Sequence, residues 1–216
     1  MLITIAWAAA GVFTHKIIGG YDPSFHSGRI QALADNIQAG HFPNPIGTKY
    51  LGGLGYGVGF FYGNFWLYPF AMLIVHGMQM FFVYQLMLLC LMIAAVCSIT
   101  FVVWKLTHRF YAVLVAAPLY VLNNYYISVV FGRAAVGETF AFVFMPLIIL
   151  GVVMVAQEKR NGWLVLSWAM AALLVSHVLS FVLALVFVAL FALSLLPRMV
   201  KRPQIVAHFV VAGING

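Results

Sequence analysis

Acid is what this sequence has least of. Its 216 residues include four carboxylates: Asp22, Asp35, Glu138 and Glu158. Charged residues of either sign make up 7% of the chain, against roughly 25% in a soluble domain. That scarcity excludes an ordinary soluble globule. Cysteine is as rare as aspartate or glutamate, two of each: Cys90 and Cys97 lie in one apolar run. On a helix their Cα atoms would stand about 10 Å apart, beyond the reach of a disulfide. A disulfide scaffold is excluded, and both are read as buried thiols. The seven histidines are scattered, with no His-Glu-x-x-His or other paired-ligand spacing, so no motif supports a metal site. No cofactor is identified, and a need for a divalent metal is left open. Repeats, low-complexity tracts and linkers are also absent, so residues 1–216 read as one domain.

Apolar residues are what the chain does have. They make up 65% of it, with a mean hydropathy of +1.06. Several runs approach or exceed the ~20 residues that cross a bilayer. Such runs must be helices, because a backbone in lipid has to satisfy its own hydrogen bonds. The runs are continuous rather than alternating, which argues against a barrel. The expected fold class is all-α, a polytopic transmembrane helical bundle.

The net charge of +7 invites a nucleic-acid reading, and its distribution refuses it. Seven Lys/Arg fall in three clusters: Lys105 with Arg109, Lys159 with Arg160, and Arg198 with Lys201 and Arg202. Each cluster ends an apolar run, the positive-inside pattern that sets orientation. A contribution from anionic lipid is secondary. The expected partner is the lipid bilayer, not nucleic acid.

Threaded on this rule, spans are expected at about 2–18, 78–104, 110–126, 139–156, 163–176 and 178–196, with another starting at 205. Residues 19–77 form a long first outer loop containing interfacial amphipathic helices. The N-terminus lacks a basic n-region, so residues 2–18 read as a span rather than a signal peptide. The chain stops inside what looks like a further span, and it is expected to be an N-terminal piece of a longer protein. Within the outer loop, Pro23–Ala39 reads as a surface helix, with Asp22 as N-cap, Pro23 at its first position and Gly40 at its stop. Its apolar face is Phe25, Ile30, Leu33, Ala34 and Ile37. Residues 67–76 read as a short segment lying in the interface.

The polar residues of such a chain are the candidates for function. Asp22, His26 and Arg29 share one helix face at i, i+4, i+7 spacing. Asp22 can be a cap alone, His26 an interfacial side chain, and Arg29 a snorkelling one. Three ionisable groups on one face of a charge-poor chain also mark a site. Arg133 and Glu138 stand between long apolar segments, where ionisable residues pair with one another or serve a site. An Arg there suits a phosphate, because its planar fork binds oxyanions bidentately. His177 is the one ionisable residue between Arg160 and Arg198, and reads either as a turn histidine or as part of the site. The Gly52–Gly59 run is no P-loop, since neither Gly-Lys-Ser/Thr nor a preceding strand accompanies it. It is no potassium filter either, lacking the Thr-Val lead-in. It reads as a tight loop, with Phe60, Phe61, Tyr62, Phe65, Trp66 and Tyr68 as an aromatic belt.

The run Gly20-Tyr21-Asp22-Pro23-Ser24-Phe25-His26-Ser27-Gly28-Arg29-Ile30 carries a resemblance. It continues through Asn36, Gly40, Phe42-Pro43 and Gly55-Tyr56-Gly57 to Phe60-Phe61-Tyr62. It resembles the first outer loop of the bacterial YfhO-type and "6-pyruvoyl-tetrahydropterin synthase-related" multi-pass membrane proteins. Arg133 with Glu138, Pro146-Leu147, and Ser176-His177 to Ser180 resemble later motifs of the same group. Nothing in the chain suggests pterin chemistry. The group is similar to the GT-C class of membrane glycosyltransferases, which use a polyprenyl-phosphate-linked sugar on the outer side of the membrane.

The resemblance implies a GT-C-like bundle in a bacterial plasma membrane, with Asp22 catalytic on the extracytoplasmic side. It implies Arg133 at the lipid-phosphate leaving group, and His26, Arg29, Glu138 and His177 as further substrate-binding residues. The acceptor would be a cell-envelope glycan or lipid. The class has more spans than this chain, and often a soluble C-terminal domain. Two other readings use the same residues: a transporter or flippase of a lipid-linked substrate, and a non-catalytic membrane assembly protein. The inverted repeats common in transporters are not evident here.

Overall fold

The computed structural model describes residues 6, 10–13, 22–48, 50–60 and 62–215. Among them there is no strand, only one isolated bridge between Gly47 and Tyr56. The helices are α1 (Pro23–Gln38), α2 (Tyr68–Val75), α3 (Met80–Thr107), α4 (Phe110–Val121) and α5 (Asn124–Ile127). There follow α6 (Val136–Ala156), α7 (Gly162–Leu174), α8 (Val178–Ser194), α9 (Leu196–Lys201) and α10 (Pro203–Asn215). The expected span over 2–18 lies mostly outside the described residues.

Length decides which helices can cross a membrane. The 28 residues of α3 and the 21 of α6 reach about 42 and 31 Å at 1.5 Å per residue, enough for a hydrocarbon core of about 30 Å. These two are long and apolar enough. The expected span at 110–126 is broken: α4 and the Asn124–Gly132 segment meet at 44°, and count as a third only if taken together. The break has a sequence cause. Pro118 removes a donor inside α4, which weakens its end. Asn123 then caps a new helix, its side chain accepting from the Tyr126 amide at 2.8 Å. The 13 residues of α7 and the 17 of α8 reach only about 20 and 25 Å. Among the described residues the fold is all-helical, with two helices fit to cross, or three if the bent pair is one span, fewer than the threading expects over the same residues. Its apolar helices fit association with a membrane.

Small residues bring the central helices together. α6 and α7 form an antiparallel hairpin in which a Cβ added to Gly151 would stand 2.7 Å from the Leu166 backbone, and one on Gly162 2.7 Å from the Val155 amide nitrogen. Without a hydrophobic drive in lipid, such close backbone approach is what packs helices. α3 packs along α6 and contributes Met87, Leu88 and Met92 to a core shared with Ile148, Leu173 and α1's Ile30. Cys90 and Cys97, expected to be buried, are exposed on the outer surface of α3. A thiol is apolar enough to face lipid.

The helix directions sort the charges. Tyr84 and Gln85, near the start of α3, line one groove with Pro23 and Ser24 of α1. The starts of α6 and α8 meet at the same end, where Gly137 packs on His177. The opposite end carries the three basic clusters, and there Arg202 reaches Glu158 at 3.4 Å.

Candidate functional site

At the acid-bearing end the structure holds a cavity of about 340 Å³. Asp22, His26, Arg133, Glu138 and His177 all line it, five of the six residues singled out in the sequence.

Asp22 enters from the start of α1. Its amide donates to the Arg133 carbonyl at 3.2 Å, and its own carbonyl accepts the first helical bond, from the His26 amide at 3.1 Å. It stands at the N-cap position, but its side chain makes no capping hydrogen bond. The expected cap is therefore not formed by the carboxylate, which is exposed and lines the cavity.

Arg133 and Glu138 come from the turn into α6. A π-helical stretch, Ser128–Gly132, precedes Arg133. Ala134 then takes a left-handed φ of 54°, uncommon for a residue with a Cβ. The chain reverses there, which sets Glu138 in the first turn of α6, where the helix dipole favours an anion. The pair is bidentate: Arg133 Nη2 to Glu138 Oε1 at 2.5 Å and Nη1 to Oε2 at 3.1 Å. The Tyr125 hydroxyl donates to the same Oε2 at 2.8 Å. Hydrogen bonding to Glu138 raises the Arg133 pKa.

The two histidines are held as neutral rings. His26 is 4% exposed, and burial, then the charge on Arg29, then His177 lower its pKa to about 3. His177 is lowered mainly by burial. Its Nδ1 lies 2.8 Å from the Ser180 hydroxyl. The ring rests on Gly137, where an added Cβ would stand 2.5 Å from His177 Cδ2. Glycine is required at 137 for this ring to sit in the wall.

Arg29 differs from its expected role. It does not line the cavity but stands behind its wall, 3% exposed. Its Nη2 donates to the Gly63 carbonyl at 2.9 Å, the Asn64 Oδ1 at 2.8 Å and the Tyr62 carbonyl at 3.3 Å. Its Nη1 lies 3.3 Å from His26 Nδ1. The guanidinium is also flanked by the rings of Tyr62 and Phe25, 5.2 and 5.8 Å away. Burial lowers its pKa to about 10, which leaves it a cation at neutral pH. The segment it holds is pinned on the other side by Gly63, where any Cβ would overlap the Val175 carbonyl. Arg29 thus clips residues 62–64 onto α1, and Gly63 seats the same segment on the end of α7. This also corrects the picture of α1 as a surface helix. Its buried residues include His26, Arg29 and Asn36 beside Ile30, Leu33 and Ala34, because one side packs on the bundle and another holds the loop. Asn36, for instance, donates to the Ile46 carbonyl at 2.7 Å.

The sequence reading missed the aromatic lining. Phe25, Tyr56 and Tyr62 face the cavity, with Phe25 and Tyr62 edge to face at 5.5 Å. Phe25 counted as part of an apolar helix face and Tyr62 as part of a lipid-boundary belt. Their one local signal was the glycines beside Tyr56 and Tyr62, which let a loop fold back. Among the described residues, no group of three or more His, Cys, Asp or Glu could hold a metal ion.

Chemically the cavity offers a proton acceptor in Asp22, an oxyanion partner in Arg133, two neutral imidazoles and flat aromatic walls. No protein-family model matches the chain, and neither a curated protein nor a solved structure does.

Proposed function

We propose that this chain carries the active site of a membrane glycosyltransferase of the GT-C type. It would transfer a sugar from a polyprenyl-phosphate donor to a cell-envelope acceptor at the extracytoplasmic face of a bacterial plasma membrane. The observation that carries the reading is the Asp22 carboxylate, released from capping and facing one cavity with Arg133 and three aromatic rings. The resemblance of Gly20–Ile30 to the first outer loop of the YfhO-type proteins supports the same role.

In this reaction the acceptor hydroxyl attacks the anomeric carbon, and its proton passes to the Asp22 carboxylate, as a general base requires. The bond from that carbon to the lipid-phosphate oxygen breaks, and the electron pair leaves with the phosphate. Arg133 stabilises the departing oxyanion. A guanidinium has five N–H donors, and its pair with Glu138 fixes the orientation of the others. Phe25, Tyr56 and Tyr62 supply apolar faces for the sugar ring, and the neutral His26 and His177 exchange hydrogen bonds with its hydroxyls.

The orientation follows from the three basic clusters at the far end of the bundle, which the positive-inside rule assigns to the cytoplasm. Cysteines placed at Ser24 and Asn161 should then label from opposite sides, and labelling from the same side would overturn the orientation.

The experiment for function is sugar transfer in vesicles holding the full chain, with a labelled polyprenyl-phosphate sugar and a mixed envelope acceptor extract. Labelled acceptor supports the reading. Movement of intact donor lipid between leaflets without a glycosyl product would replace it with the flippase reading. Neither activity in a chain that folds and inserts would leave the assembly role.

A further inference from the structure

A second cavity lies at the opposite end of the bundle and has no part in the reaction above. It is about 290 Å³ and is lined by Arg198, Lys201, Arg202 and Glu158 over a floor of Ala156 and Ile205. Three cations and one carboxylate meet there. The carboxylate is Glu158, paired with Arg202 at 3.4 Å, and the Arg202 side chain is still 67% exposed. The neighbouring Lys159 and Arg160 are exposed as well.

Two features go beyond the charge that orients a membrane protein. Glu158 holds a left-handed backbone, φ 58°, in the α6–α7 turn. A glutamate pays conformational strain there that glycine or asparagine would not. That conformation is the left-handed stop of α6, closed by the Lys159 amide on the Met154 carbonyl at 2.9 Å, and it projects the one acid among the cavity's cations. The second feature is apolar surface beside the charge. Leu196 and Val200 of α9 and Val206 of α10 are exposed. Short helices with cations and apolar residues side by side lie at the headgroup boundary.

We propose that the Arg198, Lys201 and Arg202 cavity binds the phosphate of an anionic phospholipid headgroup, with Glu158 as its internal competitor. The phosphodiester takes the guanidinium and ammonium donors while the acyl chains lie along Leu196, Val200 and Val206. In the absence of lipid, Glu158 occupies Arg202. The exposed apolar residues select a lipid phosphate over a free one. The inference does not rest on the glycosyltransferase reading, and its test needs no enzyme assay.

The test is native mass spectrometry of the detergent-purified full chain titrated with phosphatidylglycerol or with phosphatidylcholine of matched acyl chains. Phosphatidylglycerol should be retained and phosphatidylcholine lost. Glu158→Gln should bind phosphatidylglycerol roughly fivefold tighter, the weight of about one charge near a membrane surface. The triple variant Arg198→Gln, Lys201→Gln, Arg202→Gln should bind it on the order of 100-fold more weakly. The pair Lys105→Gln, Arg109→Gln, in a different basic cluster, should match the wild type. Glu158→Gln keeps the test decisive if the triple variant fails to fold, because it works in the opposite direction. The proposal is overturned if Glu158→Gln binds no tighter, if the Lys105 and Arg109 pair weakens binding as much as the triple variant, or if soluble glycerol phosphate displaces the lipid at equal concentration.

Discussion

The backbone amide of Asp22 donates to the carbonyl of Arg133 at 3.2 Å. This single bond ties the start of α1 to the turn that opens α6. It puts a carboxylate and a guanidinium that stand 111 positions apart in the sequence into the wall of one cavity. Everything proposed for this site depends on that junction, and on the neighbours that hold it.

Arg29 is the first of those neighbours. Replacing it with Gln would strip the Tyr62 and Gly63 carbonyls and the Asn64 side chain of their charged donor. Hydrogen bonds to a charged group contribute about 1.5–3 kcal/mol. The removal of a buried cation that lacks a carboxylate partner among these contacts offsets part of that loss, so a net cost of about 2 kcal/mol is expected. The effect should be local. Amide exchange at residues 62–64 should speed up by at least tenfold, while the α6–α7 hairpin keeps its protection. Arg29→Lys should recover less than half of the loss, since an ammonium lacks the planar fork.

Glu138 should behave in the opposite way. Its pair with Arg133 is partly open to solvent, with side-chain exposures of 46% for Arg133 and 20% for Glu138. Such pairs contribute about 0–1 kcal/mol to stability. Glu138→Gln should therefore leave thermal unfolding nearly unchanged. It should still lower sugar transfer by tenfold or more, because Arg133 loses the partner that aims it. A large fall in stability with no change in transfer would show the pair to be structural.

Acid should weaken the fold through His26. The unfolded ring has a pKa of 6.5 and the folded one about 3, lowered by burial, Arg29 and His177. Between those values the unfolded chain binds a proton that the folded chain does not, so stability rises with pH. The contribution is in full effect above pH 6.5 and falls away as the pH drops towards about 3. At 1.36 kcal/mol per pKa unit, this amounts to roughly 5 kcal/mol. His26→Gln should flatten the slope of unfolding free energy against pH in that window, and an unchanged slope would place the acid sensitivity elsewhere.

The glycines separate packing from propensity. Gly137 and Gly213 both lie in helices. A Cβ at 137 would meet the His177 ring, whereas at 213 nothing lies within 4 Å. Gly213→Ala should stabilise by up to about 1 kcal/mol through helix propensity. Gly137→Ala should displace His177 and cost about 1–3 kcal/mol, as overpacking does. Equal effects at the two positions would contradict the placement of His177.

Much of this was legible in the sequence, and for definite reasons. Scarcity of charge made Asp22, Arg133, Glu138 and His177 conspicuous, and the basic clusters assigned them to one end. Long apolar runs marked α3 and α6, and Asp22-Pro23 with Gly40 marked α1. What failed to show was tertiary. Composition alone cannot tell that Pro118 and Asn123 break one apolar run, or that α7 stops short of a full crossing. Nothing local to Arg29 says that its acceptors are the carbonyls of a loop more than thirty residues on. The cap was misread because Asp22 has the right neighbours for it. Its carboxylate makes no capping bond and lines the cavity, while its amide is taken by the Arg133 carbonyl.

The most direct measurement is the transfer rate of Asp22→Asn in the full chain, in vesicles with a polyprenyl-phosphate sugar donor. Asparagine keeps the size and the backbone junction with Arg133 but cannot accept the proton. General-base catalysis is worth about 10²–10⁴ in rate, so kcat should fall at least 100-fold while KM for the donor stays within a factor of a few. A variant that transfers sugar at the wild-type rate would contradict the central claim that Asp22 is the catalytic base.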